Sequence, residues 1–413
     1  YHLAKNLLGT FPQYHTQEFV ESLEKLRPEL APYPSYFKDP LFKHPPLFFF
    51  FAALSMKILG ANYLTVFYVA NFFGILIIFA IYFLAKLITH QRSLSLMAAF
   101  AVWMDPINII CSQKIWIDTM LSFWQLLAII FFIHAIQSQK SNHFLWSGFC
   151  AGLATLTKYP GILITLGILL YVTFYNRTLF KNKRFIVSLL LPLLMLSPWL
   201  SWNFATYGIN FISNIMNVEI GSRGILILFY GIGGMLLLVL FLKYMNRQIL
   251  KYFSWLIVGC LSFALLKNLL ASLDLTHLPS TSWAGGLFSH ENHLFYLGRL
   301  LELSPLYIFA LIAMIFPSQN KNLTLLKVIS IVILIFYSWW GDYQSRYILA
   351  ATPYLILLAI ILWKEFLKKS FQLKCKSLRL CSQSLLIVSM LFVFWKTYLI
   401  NVMISFPNNL CYF

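Results

Sequence analysis

Apolar runs long enough to cross a bilayer follow one another along nearly the whole chain, and short, mostly basic loops separate them. About 20 apolar residues in a helix span the hydrocarbon core of a membrane. Runs of that kind are read at 63–88, 94–112, 119–136, 144–158, 161–175, 185–203, 224–242, 252–271, 298–316, 323–340, 347–364 and 383–402. The pattern predicts an all-α polytopic membrane protein with about twelve transmembrane helices. Composition agrees: 60% of the 413 residues are hydrophobic, 11% are charged and the mean hydropathy is +0.75. A soluble chain cannot bury that much apolar surface. The sequence shows no internal repeat, low-complexity tract or soluble domain.

Loop charge sets the sidedness. One alternating set of loops carries Lys86 and Arg92, then Lys140, then Arg177, Lys181, Lys183 and Arg184. It continues with Lys243, Arg247 and Lys251, then Lys321 and Lys327, then Lys364, Lys368, Lys369, Lys374, Lys376 and Arg379. Of the 13 acids only Glu365 lies in that set. Excess lysine and arginine marks cytoplasmic loops. The opposite, external face then holds 1–62, 113–118, the surroundings of Lys158, 204–223, 272–297, 341–346 and the C-terminal tail. This alternation holds only if 46–60 lies flat on the membrane instead of spanning it. The chain therefore divides into a first external loop with interfacial helices, 1–62, and a multi-helix transmembrane domain, 63–413.

The net charge of +18 does not point to nucleic acid, because the basic residues lie in short loops between apolar runs and form no single face. The cysteines Cys111, Cys150, Cys260, Cys375, Cys381 and Cys411 show no metal-ligand spacing and most sit in or beside apolar runs. No signal peptide is visible, and the chain opens at Tyr1 without methionine, as expected of a truncated or processed sequence.

Charged groups at the external boundary are the chemical candidates, because ionised side chains at a membrane are costly unless they are used. In Lys43-His44-Pro45-Pro46-Leu47, a cation and an imidazole precede two prolines that can start a helix but not continue one. The stretch is either a phosphate-facing corner or a basic interfacial anchor. Asp118, in Ile117-Asp118-Thr119-Met120, sits where it can cap a helix or do chemistry. Lys158 stands alone between two apolar runs. Arg346 opens a helix, where a cation is disfavoured by the helix dipole, so an anionic partner is expected: a phosphate or Asp342. Tyr347 follows it. His290, Glu291 and His293 share one loop, and their spacing leaves a divalent metal open. Together these residues supply cations for a phosphate, carboxylates for a proton and aromatics for a sugar ring.

In their order along the chain these motifs resemble glycosyltransferase family 39. That is the protein O-mannosyltransferase and lipid A aminoarabinose transferase group of the C-type membrane glycosyltransferases. Lys43 to Leu47, 117–123, Gly152 to Gly161, Ser197 to Asn203, His293 to Pro305, and Arg346-Tyr347 with Pro353 carry the resemblance. It implies a polyprenyl-phosphate-linked sugar as donor and an external active site with two interfacial helices in the first external loop. By the resemblance, Lys43 is the phosphate-binding lysine, Asp118 a second acid of the site, and Arg346 and His293 line the donor phosphate. Tyr1-His2-Leu3-Ala4 matches a helix that follows the family's catalytic acid. The primary base and the first transmembrane helix are therefore expected upstream of Tyr1.

The resulting expectation is an inverting glycosyltransferase. His44 and Lys158 join Lys43 and Arg346 around the donor phosphate, and His290, Glu291, His293, Tyr347 and Asp342 contact substrate. Its partners are membrane lipids and an acceptor protein, lipid or glycan. Its location is the bacterial inner membrane, with the endoplasmic reticulum as the alternative. A transporter or flippase of lipid-linked glycans is the competing reading, drawn from Asp105-Pro106 and Lys396 inside apolar runs. A catalytically silent fragment of the family is the third. Charges gathered at one face favour the enzyme, and charges at mid-bilayer favour the transporter.

Overall fold

The computed structural model describes residues 44–60, 62–207, 295–318, 320–340, 344–372 and 376–405. Apart from turns and short 3-10 segments, these residues are helical.

Helix α1 (Leu47–Leu59) starts directly after the two prolines, where Phe50 N–H donates to the Pro46 carbonyl at 2.9 Å. It stops at Gly60, whose φ of 95° suits a residue without a Cβ. Phe48, Ala52, Ala53 and Met56 pack on Val66, Val69 and Phe73 of the next helix and on Ile117 and Met120. The other face exposes Phe50, Leu54 and Ile58. Both faces are thus apolar, one towards protein and one towards surroundings that must also be apolar. At 13 residues α1 is about 20 Å long, short of the ~30 Å hydrocarbon core.

Helix α2 (Tyr63–Thr89) is fixed at its start by a capping box: the Asn62 side chain accepts from Thr65 N–H at 3.0 Å, and Thr65 Oγ1 accepts from Asn62 N–H at 3.3 Å. The apolar run at 94–112, expected as one span, is two helices, α3 (Arg92–Trp103) and α4 (Pro106–Ser112), bent by 57°. The cause is local. Pro106 cannot continue a helix but can open one, and Asp105 caps the new one by accepting from Asn108 N–H at 3.1 Å. Its other carboxylate oxygen accepts from Tyr307 Oη at 2.5 Å, so the buried acid is satisfied.

Helices α5 (Asp118–Ser138) and α6 (Asn142–Thr157) form a hairpin, and α6 lies against α8 (Lys183–Tyr207). The approach is close because α6 offers glycines. A Cβ on Gly148 would lie 2.4 Å from the Ser188 carbonyl oxygen. Between them come a 3-10 turn (Tyr159–Ile162) and α7 (Leu163–Tyr175). The later part comprises α9 (Phe295–Leu303), α10 (Leu306–Ile315), α11 (Lys321–Trp340), a 3-10 segment (Ser345–Ala350), α12 (Thr352–Phe371) and α13 (Lys376–Ser405). The run at 298–316 is likewise broken, at Ser304-Pro305, and the run at 347–364 begins as 3-10. The runs at 224–242 and 252–271 lie outside the described residues. Each remaining run falls on a helix.

The core is centred on α12, buried continuously from Thr352 to Ile360. The same continuous core includes Ile81 and Leu84 of α2, Ile129, Phe132 and Ile133 of α5, and Leu326 and Ile333 of α11. Among the described residues, four helices are long and apolar enough to cross a membrane, and the bent α3–α4 pair makes a fifth candidate. Outward-facing Phe72, Phe79 and Phe83 on α2 and Leu193 and Leu194 on α8 fit a lipid-facing surface. This is an integral membrane protein.

The two sets of loops segregate. Asn182 donates to Ser141 at 3.2 Å, and Lys364 Nζ donates to Gln91 at 2.8 Å, so the basic loops adjoin one another. The opposite helix ends converge on Asp118.

Candidate active site around Asp118

Three segments distant in sequence build the site: the loop before α5, the turn after α6 and the 3-10 segment before α12. Asp118 is the first residue of α5. A carboxylate there is favoured by the helix dipole. It does not act as the side-chain cap that its sequence position allowed. Instead Oδ1 accepts from Lys158 Nζ at 2.8 Å, and Oδ2 faces Arg346 Nε at 3.8 Å. The Asp118 side chain is 3% exposed, that of Lys158 7% and that of Arg346 23%. The pair is therefore locked inside, while Arg346 is partly exposed.

Lys158 ends α6 with extended backbone, φ −155° and ψ 136°, and Gly161 N–H donates back to its carbonyl at 2.7 Å. Gly161 makes that turn fit, since a Cβ there would lie 2.2 Å from the Ala154 carbonyl carbon. The Lys158 ammonium is buried in the protein. A ring closes over it: Nζ lies 3.9 Å from the Tyr347 centroid. Tyr347 is stacked on Tyr337 at 5.0 Å, and Tyr337 meets Tyr296 at 6.1 Å. Tyr296 Oη in turn accepts from Gln344 N–H at 3.3 Å, ahead of the segment that carries Arg346. Ser122, one turn below Asp118, donates to the Leu349 carbonyl at 3.2 Å and ties α5 to the same segment.

Arg346 lies against Trp116, its Cζ 4.8 Å from the ring centroid, and Lys114 Nζ lies 4.8 Å from the same centroid. A second aromatic group flanks the turn: Trp199 Nε1 donates to Tyr159 Oη at 3.1 Å and stacks on Trp202 at 5.4 Å.

Of the residues singled out from sequence, Asp118, Lys158, Arg346 and Tyr347 come together. The acid nearest Arg346 among the described residues is Asp118, neither of the partners expected. Lys158 was assigned to a phosphate, and its nearest polar partner is Asp118. His44 is described, at the entrance to α1, whose side chains pack on Ile117 and Met120 on either side of Asp118. Lys43, His290, Glu291, His293 and Asp342 lie outside the described residues. Among the described residues no three His, Cys, Asp or Glu side chains cluster to hold a metal. Sequence reading passed over Trp116, Lys114, Tyr337 and Tyr296. A boundary tryptophan beside a lysine looks like a membrane anchor, and tyrosines inside apolar runs look like core.

Residues 43–202 match the protein family described as dolichyl-phosphate-mannose-protein mannosyltransferase. No curated protein sequence matches the chain. Among solved structures, the fold is similar to that of ArnT from Cupriavidus metallidurans. In its apo state that protein gives a TM-score of 0.54 at 12% identity, over 88% of this chain and 66% of ArnT. Bound to undecaprenyl phosphate it gives 0.52 at 12% identity, over 89% of this chain and 65% of ArnT. The oligosaccharyltransferase of Archaeoglobus fulgidus aligns at 0.49 and 14% identity, over 87% of this chain and 47% of that one. The chain thus spans slightly less than two thirds of ArnT's length. The fold is that of the C-type membrane glycosyltransferases, as the sequence resemblance implied.

Proposed function

We propose that the protein is a membrane glycosyltransferase that moves a sugar from a polyprenyl phosphate to an acceptor hydroxyl at the external face. The observation that carries this reading is the buried Asp118–Lys158 pair with Arg346 beside it, brought together from three separate segments. A buried charge pair costs desolvation, and a hydrophobic replacement often serves stability as well or better. Its presence at a lipid boundary is better explained by chemistry than by packing.

In the proposed reaction the acceptor oxygen attacks the anomeric carbon. The bond from that carbon to the phosphate oxygen breaks, and its electron pair stays on the phosphate. Arg346 receives the phosphate with His44, at the entrance to α1, and with Lys43, assigned that role by the sequence resemblance. Asp118, oriented through Oδ1 by Lys158, takes the acceptor's proton on Oδ2. Tyr347 and the residues around 290–293 and Asp342 border the sugar. ArnT, whose fold this chain shares, has been seen bound to undecaprenyl phosphate, which favours that class of donor carrier. The bacterial inner membrane is the proposed location.

The transporter reading leaned on Asp105 inside an apolar run. Asp105 has a structural occupation, capping α4 and accepting from Tyr307, and so lends that reading little. The test is release of undecaprenyl phosphate from defined undecaprenyl-phosphate sugars, aminoarabinose and mannose first, by the purified protein. Asp118→Asn and Arg346→Ala are expected to abolish release while leaving membrane insertion intact. Undiminished release in both variants rejects the assignment.

A further inference from the structure

Trp116 carries two cations on one indole. Lys114 Nζ and Arg346 Cζ each lie 4.8 Å from its centroid, and the ring stands two residues before Asp118. The loop is folded tightly there: Trp116 N–H donates to the Lys114 carbonyl at 2.7 Å, which brings the lysine back over its own neighbour. Lys114, Trp116 and Arg346 are all partly exposed, unlike the sealed Lys158. An anion placed between the two cations is attracted by both, in addition to what already surrounds them.

We infer that Lys114 is a further catalytic residue, one that meets the charge appearing on the leaving phosphate, with Trp116 as the positioning residue that holds it beside Arg346. This rests on the proposed polyprenyl-phosphate reaction. The donor is a phosphodiester with one negative charge. Once the glycosidic bond breaks, the electron pair it leaves makes the phosphate a monoester, which carries about −1.5 to −2 near neutral pH. On this indole Arg346 faces the single charge of the donor, and Lys114 adds a contact matched to the charge that develops as the bond breaks. An interaction stronger in the transition state than in the ground state raises turnover and leaves donor affinity nearly unchanged.

Binding of farnesyl phosphate and of its methyl diester to the detergent-purified protein tests the inference. In the Lys114→Met variant, monoester affinity is expected to fall about tenfold near pH 7.5, the scale of one charge-assisted contact, with little change for the diester. The loss should shrink as pH falls through the phosphate's second ionisation at about 6, a trend that a folding defect would not produce. Lys114→Arg should restore monoester binding, and Arg346→Met should weaken both probes. Trp116→Leu should behave as Lys114→Met does, with a smaller loss for the diester than for the monoester. A wild type that binds neither probe removes the polyprenyl-phosphate reading and this inference together. A wild type that binds the monoester no better than Lys114→Met does overturns the role of Lys114 alone.

Discussion

The ammonium of Lys158 lies 3.9 Å from the centroid of the Tyr347 ring, although 189 positions separate the two residues in sequence. Tyr347 thereby closes the site over a lysine whose proton is already directed to Asp118. What the contact uses is the face of the ring, and its hydroxyl is incidental to it. Tyr347→Phe should therefore keep stability within about 0.5 kcal/mol, whereas Tyr347→Leu should cost about 1–2 kcal/mol. Thermal unfolding in detergent compares the two. Equal losses would mean that the hydroxyl, not the π face, holds the contact.

Asp118 and Lys158 should be destabilising to remove singly and far less so to remove together. Asp118→Asn or Lys158→Met strands one buried charge and should cost about 3 kcal/mol or more. The double variant Asp118→Asn/Lys158→Met strands none and should unfold closer to wild type, while still failing to release polyprenyl phosphate from a donor. Additive losses in the double variant would show that the pair is not coupled.

Much of this arrangement was legible before any coordinates, and the reason is the bilayer. Lipid makes every charge at a helix end conspicuous, so Asp118, Lys158 and Arg346 stand out against their apolar neighbours. The alternation of basic loops put all three on one face. Their direct pairing was not legible, because it depends on how α5, α6 and the segment before α12 pack, and a single sequence carries no distances. The break at Asp105 was partly written in Asp-Pro, a cap followed by a helix-opening residue, but the apolar run continues through it and reads as one span. The buried tyrosines gave no separate signal. Tyr307, Tyr337 and Tyr296 are apolar by bulk, and the Tyr307 hydroxyl meets Asp105, and that of Tyr296 meets Gln344 N–H, only in the assembled bundle.

Gly161 is expected to be as intolerant as any residue that touches substrate. Its missing Cβ would collide with Ala154 backbone atoms at 2.2 and 2.3 Å, and helix backbone cannot move aside cheaply. Gly161→Ala should shift the turn and with it Lys158. The expected result is a loss of about 1–3 kcal/mol in stability and a fall in donor turnover greater than unfolding alone explains. Turnover measured well below the unfolding temperature separates the two effects. Normal turnover there would show that the turn does not position the lysine.

The Asp105–Tyr307 hydrogen bond holds the bend of α3 and α4 to the start of α10. Tyr307→Phe leaves one Asp105 oxygen without its donor in a buried place and should cost about 1–3 kcal/mol. Asp105→Asn keeps an oxygen to accept from Asn108 N–H and offers its amide N–H to Tyr307 Oη, which can accept, and should cost less than Asp105→Ala, which also removes the cap. Unfolding midpoints of the three variants give the order. Asp105→Ala as stable as Asp105→Asn would deny the cap its role.

Gln125 sits two turns below Asp118 on α5, 1% exposed, and among the described residues neither its amide nitrogen nor its carbonyl oxygen has a hydrogen-bond partner. A buried amide without partners is a net cost, since both groups lost water on folding and gained nothing in return. Leucine has a similar volume and no polar atoms to strand. Gln125→Leu should therefore stabilise the protein by about 1–2 kcal/mol, read as a higher unfolding midpoint in detergent. If the substitution destabilises instead, the amide must be served by a water molecule bound within the bundle, worth more than the packing that leucine supplies.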